Sequence, residues 1–204
     1  MVLIEKITDA IQSSNINVLI GSGLSMPFIP TLGNIETLLA ELDSQPTKRR
    51  LAWQIAKASL YKKYFDNVMA RNIDSNCADN VLFRDVLFNY MSFLNILNEL
   101  ILHRKNTLLN KQVNLFTTNI DIFFEKALEE TQLEYNDGFY GRFNPIFNLT
   151  NFKKSLFKKS LHYDNTSEIP VFNLLKVHGS LTWEAINDNV IYSNLNAIKS
   201  AQEK

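Results

Sequence analysis

The chain has 204 residues, 46% hydrophobic and 11% aromatic, with 21 basic and 21 acidic side chains and a formal net charge of zero. That balance excludes a disordered chain, suits one domain with a sizeable core, and leaves no electrostatic footprint for direct nucleic-acid or membrane binding. A single cysteine, Cys77, excludes an internal disulfide and a four-cysteine zinc site, so the expected setting is cytoplasmic and no metal is expected.

In chain order, Leu3, Ile4, Ile7, Ala10 and Ile11 recur at helical spacing and predict an amphipathic helix over 3–14. Glu5, Lys6 and Asp9 interrupt the apolar stretch that a signal peptide needs, and no apolar run approaches the ~20 residues of a membrane-spanning helix. A compact apolar strand follows at 16–20 and ends in glycines. Asn34 is placed to cap a helix through Leu42, with Glu36 and Thr37 in its first turn. Pro46 and Thr47 open a helical stretch to about Arg71. "DSNCADN" is a loop, and a second helical region rich in Leu, Phe and Ile runs from Asp79 to about Lys105. Residues 113–117 form the next strand and 121–131 the helix after it. "EYNDGFYGRFNP" reads as a short strand or ordered loop, and "NFKKSLFKKSL" as a small basic amphipathic helix. "VFNLLKVHGS" is a strand running into His178-Gly179-Ser180.

Strands separated by helical segments predict an α/β fold, a Rossmann-like parallel sheet with helices on both faces and a helical insert over about 46–105. Nearly continuous apolar strands fit a sheet covered on both sides. Right-handed crossovers then bring the three strand ends to one edge, where open parallel sheets bind their ligands.

Each of those ends carries residues that can do chemistry, and each has a plain structural reading beside it. Gly21-Ser22-Gly23-Leu24-Ser25 offers backbone N–H groups and hydroxyls suited to phosphate, or is only a glycine turn. It is neither a Walker motif nor a full G-x-G-x-x-G, whose sixth position is here Met26. In Thr117-Thr118-Asn119-Ile120-Asp121, the amide or the carboxylate can cap the next helix or face a ligand. His178, ahead of Gly179 and Ser180, is either a general base or a structural histidine at a strand end. His103 and His162 have no such company and read as ordinary helix-terminal or surface residues.

"GSGLS", "TTNID" and "KVHGSL", in that order and each closing a strand, resemble the sirtuin superfamily, Rossmann-like proteins that use NAD as co-substrate. The likeness is greater to the zinc-free sirtuin-like domains of bacterial anti-phage systems, given Pro30, Phe123-Phe124-Glu125 and Leu181-Thr182-Trp183 in the matching places. The resemblance implies an NAD hydrolase that yields nicotinamide and ADP-ribose or cyclic ADP-ribose, acting as a defence effector by NAD depletion. It implies that Gly21, Ser22, Gly23 and Ser25 hold the diphosphate and that Thr118 and Ser180 line the same cofactor pocket. Asn119 would bond the nicotinamide ribose and orient water, Asp121 would contact the carboxamide or ribose, and His178 would be the general base.

Departures from the family sharpen that expectation. Deacylating sirtuins carry a four-cysteine zinc module after His-Gly-Ser, and their Asp-Phe-Arg is replaced here by Thr31-Leu32-Gly33. An insertion also separates Asn119 from His178. The alternatives are an NAD-dependent protein deacylase and a non-catalytic subunit that binds NAD or ADP-ribose. Family members continue past His-Gly-Ser into further strands, so residues 1–204 are expected to be a sirtuin-like domain lacking its last strands. Control of NAD cleavage implies self-association into a homo-oligomer or assembly with a sensor or ATPase partner.

Overall fold

The structure, a computed structural model, describes residues 2–31, 35–44, 51–73, 79–104, 108–161 and 164–202. The expected cap at Asn34, the helix start at Pro46 and Thr47, the loop residue Cys77, and His162 lie outside the described residues. The elements begin with α1 (Val2–Ser13), β1 (Ile16–Ile20), a 3-10 turn over Ser22–Ser25, α2 (Ile35–Ser44) and α3 (Leu51–Tyr64). A π-helical turn, Phe65–Met69, and a 3-10 turn, Ala70–Asn72, lead toward α4 (Val81–Leu102), β2 (Gln112–Thr117) and α5 (Phe123–Glu130). Short strands β3 (Tyr135–Asn136), β4 (Phe139–Tyr140) and β5 (Ile146–Phe147) precede a 3-10 turn, Leu149–Lys153. The hairpin β6 (Leu156–Lys159) and β7 (Thr166–Ile169) comes next, then β8 (Val171–Lys176), β9 (Trp183–Ile186), β10 (Asn189–Tyr192) and α6 (Asn196–Gln202).

The parallel sheet has the order β1-β2-β8-β3. Ile20, Thr117 and Lys176 lie level across β1, β2 and β8, so the three predicted strand ends do share one edge. The fold is mixed α/β, with helices on that sheet.

One face of the sheet packs tightly. Val113, Leu115, Phe172 and Leu174 join a core with Phe83, Val86, Tyr90, Leu94, Leu97 and Ile101 of α4, and with Phe123, Phe124, Ala127 and Leu128 of α5. The α4 set recurs every three or four residues, the stripe that lets a helix lie on a sheet. Asn80 starts that helix, its side-chain oxygen accepting from the N–H groups of Leu82 at 2.9 Å and Phe83 at 3.3 Å. Arg104 at the far end donates to the carbonyls of Ile11 and Ser14, both at 2.9 Å, and fixes the turn between α1 and β1.

On the other face, among the described residues, the expected second helical layer does not cover β1. Leu19 on β1 is 76% exposed there. Beside it an amide ladder crosses three strands, Asn114 donating to Asn17 and Asn173 to Asn114, each at 2.8 Å. Leu3, Ile4 and Ile7 of α1 are also exposed.

Two further differences come from local chemistry. The predicted basic helix "NFKKSLFKKSL" is instead the end of a 3-10 turn followed by β6. Asn151 is pinned there, donating to Gly138 O at 2.8 Å and accepting from Lys154 at 2.6 Å through its own side-chain oxygen. Such side-chain bonds compete with a helix this short, which is marginal without packing, and β6 is exposed along its whole length. The helix predicted over 46–71 also changes pitch, since α3 ends at Tyr64 and passes into the π-helical turn. A second sheet, antiparallel in the order β4-β5-β10-β9, holds Phe139, Phe147, Trp183 and Tyr192 in edge-to-face and tilted ring contacts at 4.9–5.9 Å.

Candidate functional site

At the carboxyl edge of the parallel sheet, Ser25, Asn119 and Asp121 form one buried network. Ser25 reaches it because the chain leaves β1 through a 3-10 turn that rotates its side chain inward. Asn119 reaches it because the 117–120 segment folds back, with Asn119 N donating to Thr117 Oγ1 at 3.0 Å. Ser25 has one hydroxyl proton and gives it to Asp121 Oδ2 at 2.6 Å. Tyr90 Oη, 2.8 Å from Ser25 Oγ, therefore donates to it. The Asn119 amide nitrogen donates to Ser25 Oγ at 3.0 Å and Tyr90 Oη at 3.3 Å. Asn119 Oδ1 is left buried without a partner.

Burial pushes the Asp121 carboxyl above the ordinary carboxylate range, opposed by the Ser25 hydroxyl, the Lys176 charge and the Phe123 N–H. Burial likewise raises the Tyr90 phenol, and the nearby Asp121 charge adds to it, so Tyr90 stays protonated and able to donate. The capping reading also holds in part: Asp121 Oδ1 accepts from Phe123 N at 3.2 Å at the start of α5.

A second cluster lies against the first. Lys176, with a side chain 2% exposed, contacts Glu125 Oε1 at 2.5 Å and donates to Ser180 Oγ at 2.9 Å and to the Asp121 carbonyl. Ser180 Oγ also accepts from Thr182 Oγ1 at 3.1 Å. The backbone stitches the same pieces together: Val177 N donates to Thr117 O at 2.9 Å and Leu181 N to Ile120 O at 3.0 Å.

Gly21, Ser22, Gly23, Thr118 and His178 are exposed. Thr118 is held by its backbone N–H on Ile20 O at 3.2 Å. Gly21 has an ordinary extended backbone, φ −112°, and a methyl group on Gly23 would meet nothing within 4 Å. Neither conformation nor packing demands glycine at those two positions; what glycine leaves there is open surface over the turn. Gly179 is different, since φ +81° is a conformation L side chains rarely adopt. It lets the chain turn just after His178, and a Cβ there would lie 3.8 Å from the Trp183 ring.

The structure thus joins Asn119 and Asp121 through Ser25 and sets Gly21, Ser22, Gly23, Thr118 and His178 around the same edge. Ser180 points into the Lys176–Glu125 pair instead of the open surface. His103 caps α4 from the surface, as expected. Sequence reading missed Tyr90 and Lys176, and named Glu125 only within the family likeness, with no role at the site. Tyr90 was hidden in an apolar helix, where a phenol on the buried stripe is its only signal. Lys176 carried a clearer one, a lysine at the inward register of a strand that is otherwise apolar. Among the described residues no group of three or more His, Cys, Asp or Glu is arranged to hold a metal, and no helix is long and apolar enough to cross a membrane. No protein-family model matches the chain, and no curated protein matches it.

Proposed function

We propose that this chain is a sirtuin-like NAD hydrolase, releasing nicotinamide and leaving ADP-ribose or its cyclic form, and that it serves as an anti-phage effector by NAD depletion. The observation that carries this reading is Asn119 Oδ1. Its amide nitrogen is locked by Ser25 and Tyr90, so the oxygen is a fixed and unsatisfied acceptor at a sheet edge. A buried acceptor left unpaired costs about 1–3 kcal/mol, and a ribose hydroxyl or an attacking water would recover it. The open turn at Gly21–Gly23 suits the diphosphate beside it.

In the proposed reaction, water attacks the ribose carbon as the bond to nicotinamide breaks, and positive charge grows on the sugar. Asn119 Oδ1 accepts from the water or a ribose hydroxyl and orients it. His178 takes the proton, giving ADP-ribose and nicotinamide. Asp121, on the Ser25–Tyr90 network, positions the sugar side of the ligand. Groups fixed in advance in a dry cleft stabilise such charge without reorganising, each by about 2.7–4 kcal/mol on the scale of a lost oxyanion-hole donor. Whether the product is linear or cyclic depends on which nucleophile the pocket holds nearest.

Nicotinamide release from NAD, followed by chromatography, tests the reading. Turnover abolished by Asn119→Ala supports it. No turnover by the protein, alone or within any longer natural chain, overturns it. The exposure of His178 favours a second reading, in which the domain binds NAD or ADP-ribose without cleaving it and regulates a partner. That reading predicts ligand binding, hydrolysis absent, and affinity little changed by His178→Ala. Protein deacylation is a third, and predicts acetyl-lysine peptide turnover stoichiometric with nicotinamide.

A further inference from the structure

The Lys176 ammonium joins four pieces of the site edge. It sits at the end of β8, contacts the α5 carboxylate of Glu125 at 2.5 Å, and donates to the carbonyl of Asp121 and to Ser180 Oγ at 2.9 Å. Asp121 belongs to the segment that presents Asn119, and Ser180 to the turn that presents His178. A lysine this buried must be paired, because an isolated charge in the interior is costly. Only the pairing with Glu125 answers that need. The two remaining donations go to neutral oxygens, one on each of the two segments whose spacing sets the distance from Asn119 to His178. A hydrophobic pair of similar size would fill the same space without those tethers.

We propose that Lys176, charge-balanced by Glu125, is a positioning residue that holds the Asn119 segment and the His178 turn at the separation the reaction requires. This rests on the NAD-cleavage reading above. Lys176 touches no substrate; it acts by fixing the Asp121 carbonyl and the Ser180 hydroxyl. Misplacement of reacting groups by about 1 Å lowers rate on the order of a hundredfold.

The test uses three variants of the full chain, each measured for thermal midpoint, for kcat and KM in nicotinamide release, and for ADP-ribose affinity. Lys176→Met leaves the partly buried Glu125 without its charge partner, so its midpoint falls and its folding is at risk. The double variant Lys176→Met with Glu125→Leu removes both charges and recovers the midpoint. If Lys176 positions the site, the double variant keeps the wild-type KM and ADP-ribose affinity within about threefold while kcat stays depressed by about a hundredfold. Glu125→Gln retains an oxygen for the ammonium and both tethers, and it keeps kcat within about tenfold of wild type. Wild-type kcat in a folded double variant overturns the positioning role while leaving NAD cleavage intact. A double variant that stays unfolded while Glu125→Gln loses kcat in step with its midpoint also overturns it, because the pair is then only structural. A wild-type chain that releases no nicotinamide overturns both proposals.

Discussion

Ser25, Asn119 and Asp121 are buried and joined through Ser25, which bonds to Asn119, Asp121 and Tyr90, whereas Gly21, Ser22, Gly23, Thr118 and His178 stand exposed at the same sheet edge. The first group takes its geometry from side-chain contacts made on folding. The second is placed by backbone alone, through bonds such as Thr118 N to Ile20 O and Val177 N to Thr117 O. Substitutions in the buried half must therefore register in stability as well as in any activity. Substitutions in the open half break no contact of the folded chain, so a loss of activity there reports on a ligand. That contrast separates a built site from a merely well-packed strand end.

His178→Ala gives the largest separation. Removing a general base typically lowers turnover ~10²–10⁴-fold, and an exposed side chain of this kind changes stability by less than about 0.5 kcal/mol. Nicotinamide release and a denaturant midpoint measured on one preparation check both parts. A stability loss matching the activity loss would erase the distinction between the halves. Asn119→Ala comes next, with turnover lower by ~10²–10³-fold. Here stability falls too, by about 1–3 kcal/mol, because Ser25 and Tyr90 both lose a donor in a buried place. Unchanged stability in that variant would argue that the network is looser than its 2.6–3.3 Å contacts imply.

Gly23→Ala sharpens the open half. The new methyl meets no atom within 4 Å, so the fold is undisturbed. An alanine in place of glycine at a compatible backbone position stabilises by about 0.4–1 kcal/mol through the unfolded chain. If a diphosphate rests on that turn, the same methyl obstructs it. The expected outcome is a small gain in midpoint together with a weaker Kd for NAD by about tenfold, which is ~1.4 kcal/mol. NAD affinity equal to wild type would move the phosphate site away from Gly21–Gly23.

Much of this geometry was legible because parallel strands announce themselves. The runs at Ile16–Ile20, Gln112–Thr117 and Val171–Lys176 are apolar enough to read directly, and their ends fall level once the crossovers share a hand. What the sequence did not yield has identifiable causes. Tyr90 acts across sixty-five positions of chain from Ser25, a contact no local pattern encodes. The β9–β10 hairpin did leave a signal: Asn187 and Asp188 take φ +48° and +64°, the left-handed pair that a two-residue turn needs and these side chains tolerate. The helix expected at "NFKKSLFKKSL" gave way because Asn151 found backbone partners nearby, while Phe157 and the lysines of the β6 stretch stay exposed. The amide ladder at Asn17, Asn114 and Asn173 was masked by its strands' hydrophobicity; Asn173 Oδ1 is buried without a partner there, as Asn119 Oδ1 is at the carboxyl edge.

Asp121→Asn carries the smallest effect and addresses the boundary between the halves, since this carboxyl is buried at the carboxyl edge of the sheet. Burial holds its folded-state pKa above the ordinary value of 3.8, so folding favours the neutral form. Below 3.8 both folded and unfolded chains hold the proton, and the contribution to stability is fully present. As pH rises past 3.8 the unfolded chain gives up its proton first, and stability is lost until pH passes the folded value. The amide variant has no such proton. The stability of wild type relative to the variant therefore declines with rising pH from about 3.8 and levels off above the folded pKa. The raised Asp137 carboxyl has the same sign but is common to both proteins and cancels in the difference. Denaturant midpoints of the two chains, compared at intervals between pH 3.5 and 7 at fixed salt, provide the measurement; these settings are about the span over which a moderately raised carboxyl titrates. A wild type that gains on the variant as pH rises would mean that Ser25, the Phe123 N–H and Lys176 outweigh burial. Asp121 would then enter the reaction as a fixed negative charge beside the sugar, able to steady an oxocarbenium ion directly.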